Sequence, residues 1–238
     1  MHTLFVFNND PLNQRHPDQD FLVRFQAVKD NSALISYEQL MFNPDYKPVL
    51  KNAEGANVVY VGWMLRQEHY QQLSDIVAAN GGTMRTTPTQ YQMGMELPRW
   101  YRYLRDRNIA TPASIWSQGT SAEDIEGLVL RAFELGWTRG VIKDYVKSRK
   151  HNPEAFLFSK SNPLGTALAT FVSQQLQPWG GLVAREWTDI AVDPATDTQQ
   201  EYRFFVVDQK IVSAGAYWLA ASSELTDGAM ALANSVAA

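Results

Sequence analysis

Residues 121–136 read as one helix with both ends written into the chain. Ser121 stands three residues before Asp124, a spacing at which a hydroxyl and a carboxylate cap each other's backbone N–H groups, although Glu serves better there. Ile125, Leu128, Val129, Ala132 and Phe133 recur at i, i+3, i+4, i+7 and i+8, so a single apolar stripe must find cover. Gly136 supplies the stop. Immediately afterwards VIKDYVKSRKH (141–151) starts as a strand. A sharply bounded helix feeding a strand makes the back half a mixture of helix and sheet.

Other segments extend this pattern. A second helix is expected from Asn162-Pro163, burying Leu164, Leu168, Phe171, Val172 and Leu176 and stopping at Pro178. Three strand-like runs follow: GLVAREWTDIAV (181–192), EYRFFVVD (201–208) and KIVSAGAYW (210–218), the last two close enough to form a hairpin. DPATDTQQ (193–200) reads as a polar loop.

In the front half, TLFVFN (3–8) and VVYVGWM (58–64) read as buried strands. Between Arg66 and Asn80 one helical face carries Tyr70, Leu73, Ile76 and Val77, and Asn80-Gly81-Gly82 ends it. The aromatic run LPRWYRYL (97–104) places Trp100, Tyr101 and Leu104 at helical spacing, which reads as core packing, with the lining of an acceptor site as the alternative. The expected fold class is therefore an α/β front domain followed by an α+β domain. The boundary is expected at residues 110 and 111, giving domains 1–110 and 111–238.

Several functions are excluded. A net charge of −4 and a pI near 5.6 argue against a broad nucleic-acid-binding surface. No apolar run of about 18 residues is present and the apolar start of the chain is too short for a signal peptide, so no membrane role and a cytoplasmic location are expected. The absence of cysteine rules out disulfides, thiol chemistry and cysteine–zinc sites. His2, His16, His69 and His151 lack metal-ligand spacing, and GxxxxGK[ST], GxGxxG, HExxH and GxSxG are all missing.

The charge pattern of the back half is what remains. From Arg139 to Lys160, six basic residues face only Asp144 and Glu154, a balance of +4 within a chain of −4. Strand alternation would put Val141, Lys143, Tyr145 and Lys147 on one side, with Lys143 and Lys147 roughly 13 Å apart. Such a row suits a localized anion, phosphate above all; a solvated edge strand whose lysines block aggregation is the plainer alternative. Glu201 and Arg203 share a face of their strand opposite Tyr202, Phe204 and Val206, and charges among apolar neighbours need partners. Arg185 and Glu186 sit in a run that otherwise reads as buried. The strand edge after Glu186 could offer backbone groups to a flat heterocycle, with Ile142 among its apolar walls.

In their order, VIKDYVKSRKH, AREWTDIAV and EYRFFVVDQKIVSAGAYW resemble the centre of an ATP-grasp domain, of the clade named for one arginine and two lysines. VVYVGWML, TTPTQY and LPRWYRYL resemble that clade's N-terminal region, except that Val61 stands where an arginine is common. The resemblance implies an ATP-grasp-like back domain with a mostly antiparallel sheet. Lys143 would contact ATP phosphates, Lys147 would be the second lysine, and Glu186, Trp187 and Thr188 would meet the adenine edge. Arg203 would stabilise the transferred phosphate with Glu201 orienting it, and residues 148–160 would close as a lid. The implied activity joins a carboxylate to an amine, from small molecules or peptides, through an acyl phosphate, with Mg2+ as cofactor. Metal-binding acids are expected on strands after the hairpin, where only Glu224 and Asp227 stand, so the resemblance also implies that the last strands and metal ligands lie beyond residue 238. A non-catalytic nucleotide-binding or interaction protein with the same fold is the alternative.

Overall fold

The computed structural model describes residues 2–146, 156–163, 178–193, 196–218 and 226–237. The chain divides into two compact units, Met1–Met95 and Glu96–Ala238. The first holds β1 (Thr3–Asn8), α1 (Leu22–Val28), β2 (Ser32–Ile35), α2 (Tyr37–Phe42), β3 (Asn57–Val61), α3 (Gln67–Ala79), β4 (Thr83–Met84) and α4 (Pro88–Met95). Its strands form one parallel sheet in the order β2-β1-β3-β4.

β1 is central, and its composition says why: Leu4, Val6 and Phe7 are at most 1% exposed, as a parallel strand covered on both faces requires. α3 turns Tyr70, Leu73, Ile76 and Val77 inward, the four residues its periodicity selects, onto Leu4, Val6 and Val58. Asn80 closes that helix by donating from Nδ2 to the Ile76 carbonyl at 2.8 Å. β3 ends at Val61, short of the expected Met64, because the Asn8 carboxamide captures the Trp63 N–H at 2.7 Å and draws the chain out of the sheet. Only glycine fits at the turn: a Cβ on Gly62 would stand 2.3 Å from Asn8 Oδ1.

The second unit holds α5 (Leu97–Asp106), β5 (Ser114–Ser117), α6 (Ala122–Glu134), β6 (Arg139–Asp144), β7 (Leu157–Ser159) and β8 (Leu182–Glu186). After these come β9 (Val192–Asp193), β10 (Thr198–Gln199), β11 (Tyr202–Val207), β12 (Lys210–Ala216) and α7 (Asp227–Ala237). Four strands make an antiparallel sheet in the order β5-β8-β6-β7. Among the described residues β11 and β12 pair with each other alone, turning through Asp208 and Gln209 at φ +47° and +64°, the left-handed pair that a two-residue hairpin needs. This is the fold class expected, an α/β unit followed by an α+β unit with a mostly antiparallel sheet.

α6 begins with the capping box read from Ser121 and Asp124 and lays Ile125, Leu128, Val129 and Ala132 on Ile142, Leu182 and Ala184. α5 lies with the second unit rather than the first, because Leu97 and Tyr101 pack with Tyr145 and Val183. The run expected as a strand over 181–192 breaks after Glu186, and the loop at 193–200 contributes the short β9–β10 ladder. The helix expected from Asn162-Pro163 falls on residues 164–177, outside the described residues. No helix among the described residues is long and apolar enough to cross a membrane.

Candidate functional site

The four-stranded sheet of the second unit sorts its side chains by strand alternation. Gly140, Ile142 and Asp144 of β6 face α6 together with Leu182 and Ala184 of β8. Arg139, Val141 and Lys143 take the other face. In the register, Val141 opposes Arg185 and Lys143 opposes Val183, so Arg185 and Val183 share that face with Lys143. Trp116 opposes Val183 from β5, and Leu97, Trp100 and Tyr101 of α5 pack here. One face of the sheet is thus apolar except for the buried Asp144 carboxylate at its end, and the other carries cations among aromatics.

Each cation is held. The Arg185 guanidinium lies 5.4 Å from the Trp100 ring centroid and donates from Nη2 to Thr111 Oγ1 at 3.1 Å. Lys143 is half-buried and donates from Nζ to the Asp144 carbonyl at 2.7 Å. Burial pushes its ammonium down to about 8; the nearby Arg185 acts in the same direction, and the Asp144 carboxylate opposes both. Burial likewise lowers Arg185. Two cations close together and partly out of water disfavour one another, and an anion bound between them would relieve both. Chemically, the face suits a phosphate chain or a carboxylate.

The strand ends at Asp144 and does not continue to Tyr145 as the alternation assumed. The fully buried Asp144 carboxylate accepts the Val146 N–H at 2.9 Å and the Trp179 N–H at 3.3 Å, and the first of these turns the chain out of the sheet. Tyr145 therefore packs in the aromatic cluster, its hydroxyl donating to the Ser117 carbonyl at 3.0 Å. Lys147 lies outside the described residues. Ile142, expected as an apolar wall, is 1% exposed beneath α6 on the opposite face. Of the expected lid, residues 148–155 lie outside the described residues; in its last part Phe156 and Phe158 are buried in the α6 core and β7 is paired with β6.

Glu186, Trp187 and Thr188 leave the end of β8. The Glu186 N–H donates to the Ala113 carbonyl at 2.8 Å and the Trp187 N–H to the Arg139 carbonyl at 3.2 Å, which leaves exposed Thr188 as the next backbone donor. Arg139 Nη2 meets both carboxylate oxygens of Asp189 at 2.6 Å, and the Trp187 indole N–H donates to Asp189 Oδ1 at 3.0 Å. That indole bond, with Arg139, holds the Asp189 carboxyl below its ordinary value. Lys143 and the segment 186–188 therefore come onto adjoining strands. Arg203 and Glu201 do not join them in that sheet: Arg203 is exposed on the separate hairpin, its guanidinium 4.4 Å from the Tyr217 ring centroid, and the Glu201 carbonyl accepts the Tyr217 N–H at 2.8 Å.

Arg185 and Arg139 were the residues that sequence reading passed over as site candidates. A signal existed. Counting back in twos from Lys143 reaches Arg139 on the same face, and Arg185 interrupts an apolar run two residues before Trp187. Among the described residues, no group of three or more His, Asp or Glu side chains is placed to hold a metal ion.

Residues 134–238 match an ATP-grasp domain family, the third family of the clade named for one arginine and two lysines. No curated protein matches the chain. Among solved structures, the RimK domain protein ATP-grasp from Sphaerobacter thermophilus is similar with a TM-score of 0.59 at 13% identity, over 99% of this chain and 81% of that one. The D-cycloserine synthetase DcsG gives 0.60 at 10% identity, over 99% of this chain and 79% of that one. The ATP-grasp ligase PsnB, complexed with a phosphomimetic variant of its minimal precursor, Mg and ADP, gives 0.52 at 12% identity, over 100% and 80%. At these identities the likeness is one of fold, and the match of residues 134–238 to an ATP-grasp domain family of the one-arginine, two-lysine clade agrees with it.

Proposed function

We propose that the chain binds ATP on the cationic face of its antiparallel sheet and serves as an ATP-grasp-type ligase, joining a carboxylate to an amine. The observation that carries this reading is the half-buried Lys143 beside Arg185, an arrangement that costs the free protein and is relieved by a bound anion. Lys143 donates to the phosphate oxygens, and their charge keeps its ammonium protonated. Arg185 adds a second positive charge from the neighbouring strand. Thr188 and the backbone after Glu186 and Trp187 meet the adenine edge.

In the reaction a carboxylate oxygen attacks the terminal phosphorus and ADP leaves. The amine nitrogen then attacks the acyl carbon, the phosphate departs and an amide bond remains. Lys147 and Arg203 are assigned to neutralising the transferred phosphate, with Glu201 orienting Arg203. Such chemistry asks the protein mainly for positioning and charge. Mg2+ accompanies ADP in the PsnB structure and is the ion this reaction would use. The described residues offer no carboxylate set that fits it. Carboxylate and amine partners are small molecules or peptides, and a cytoplasmic location suits the reading.

The test is titration of ATP against the chain and its Lys143→Ala variant. Loss of a charge-assisted contact should weaken ATP by roughly tenfold to a hundredfold. Equal affinity in both proteins defeats the proposal.

A further inference from the structure

Among the described residues, Asp144 is the one charged residue that is buried, at 0% exposure. Both of its oxygens accept from the backbone: Oδ1 takes the Val146 N–H at 2.9 Å and Oδ2 the Trp179 N–H at 3.3 Å. An asparagine could serve only one of these donors, because its NH2 end accepts nothing. The place is cut for a carboxylate, and a buried charge is costly enough to call for a reason.

The bonds around Asp144 draw the borders of the cationic face to one turn. The Tyr145 N–H donates to the Trp179 carbonyl at 3.2 Å, answering the Trp179 N–H on Asp144. The Tyr145 carbonyl accepts the Leu97 N–H at 2.9 Å, and its hydroxyl donates to the Ser117 carbonyl at 3.0 Å. The start of α5 and the end of β5 are thus tied to the residues just past Asp144. Gly180, at φ +80°, and Gly181 have no room for a Cβ beside the Tyr145 ring, so the entry to β8 lies against the same turn.

Lys143 depends on this turn. Its Nζ donates to the Asp144 carbonyl at 2.7 Å, so the peptide that receives the ammonium belongs to the residue whose carboxylate holds the turn. Burial and Arg185 on the neighbouring strand both disfavour the ammonium, and the Asp144 carboxylate opposes them. The other charged groups nearby are engaged elsewhere. Arg139, on the same face, holds Asp189. On α5, Arg99 pairs with Glu96, Arg102 and Glu96 act on Tyr145, and Tyr101 acts on Arg185. Asp124 of α6, packed against the far face, accepts the Ser117 hydroxyl.

We propose that Asp144 is a positioning residue for ATP that acts through Lys143: its carboxylate fixes the turn whose carbonyl receives the ammonium, and its charge holds that ammonium against the repulsion of Arg185. This role rests on the reading of Lys143 as a phosphate ligand. Without the carboxylate, Lys143 would present a neutral amine over more of the pH range, and a neutral amine draws phosphate weakly.

The test reads Lys143 directly. In the chain with isotope-labelled lysines, the side-chain resonance lost in Lys143→Ala identifies this group, whose titration midpoint stands at about 8. Asp144→Asn keeps an oxygen for the Val146 N–H and removes the charge, and should lower that midpoint by about one pH unit or more. Its ATP affinity should match that of the unmodified chain below about pH 6 and fall short by up to about tenfold near pH 9. A loss of packing alone would weaken ATP by one factor at every pH. If Asp144→Asn does not fold, Asp144→Ser, whose hydroxyl can also accept the Val146 N–H, serves with the same expectation. An unmoved midpoint in the folded variant, or a loss of affinity that ignores pH, overturns the role of Asp144 while ATP binding by the unmodified chain stands. A midpoint that moves in a chain that binds no ATP overturns the nucleotide reading, and this role with it.

Discussion

The two faces of the β5-β8-β6-β7 sheet are built from the same alternating strands and have been put to opposite uses. Against α6, Ile142, Leu182 and Ala184 meet Ile125, Leu128 and Val129, and each of these six residues is at most 4% exposed. Against α5, Lys143 and Arg185 are set among Trp100, Tyr101 and Trp116. Burial stabilises the first face in proportion to its apolar area. On the second, the same burial works against charges that have only partial compensation. A more stable sheet would carry valine or leucine at both cationic positions. Keeping the cations teaches that the second face is shaped for something other than stability, and several measurements can break or sharpen that contrast.

The largest expected effect is on the apolar face. Leu128→Ala should lower unfolding free energy by about 2–5 kcal/mol, read by denaturant titration, because the gap beneath α6 cannot refill. An equal loss from Lys143→Met would erase the distinction between the faces. The opposite is expected: Lys143→Met should raise stability at neutral pH, by at most about 3 kcal/mol, since one pKa unit corresponds to about 1.4 kcal/mol.

The sign has a pH window. In the free protein Lys143 titrates at about 8, and in the unfolded chain near 10.5. Below 8 both states are protonated and the full cost of burying the ammonium is present. Between 8 and 10.5 the unfolded state holds more protons, so the native chain gains stability as pH rises, and the advantage of Lys143→Met shrinks over the same range. ATP binding runs the other way. Above pH 8 the site must take up a proton to present an ammonium, so ATP affinity should fall, by up to about tenfold per pH unit. A flat affinity profile from about pH 7 to 10 would separate Lys143 from the phosphates.

Smaller effects test the supports of each face. Ser121→Ala removes the hydroxyl of the α6 capping box and should cost about 1 kcal/mol, measured as a lowered Tm. Asp189→Ala breaks a pair whose side chains are 48% and 79% exposed, so its loss should leave Tm essentially unchanged. A lowered Tm there would mean that the exposed edge after β8 carries stability that its solvation denies it.

Local pattern made much of this legible. The stripes of α3 and α6, their glycine and asparagine stops, the capping box at Ser121 and the two-residue turn at Asp208-Gln209 follow from neighbours in the chain. Strand ends were less visible. β6 stops because the Asp144 carboxylate bonds Val146, only two residues on, but it is stranded there because Trp179, thirty-five positions away, also binds it. β3 stops because Asn8, fifty-five residues earlier, takes the Trp63 N–H. Neither partner is detectable from spacing. For the candidate site, charge and order make Lys143 and the segment 186–188 candidates, whereas Arg185 becomes one only once the register sets it on the face of Lys143.

By itself, the sequence determined the helices α3 and α6 with their caps and apolar stripes, the centres of β1, β6 and the β11–β12 hairpin, and that positive charge concentrates after residue 139. These are properties of near neighbours, fixed by backbone geometry and hydrophobic period. Tertiary structure alone decided which cations face each other and which strands end early. Those outcomes depend on pairing between segments far apart in the chain, where a shift of one residue would send every side chain to the opposite face.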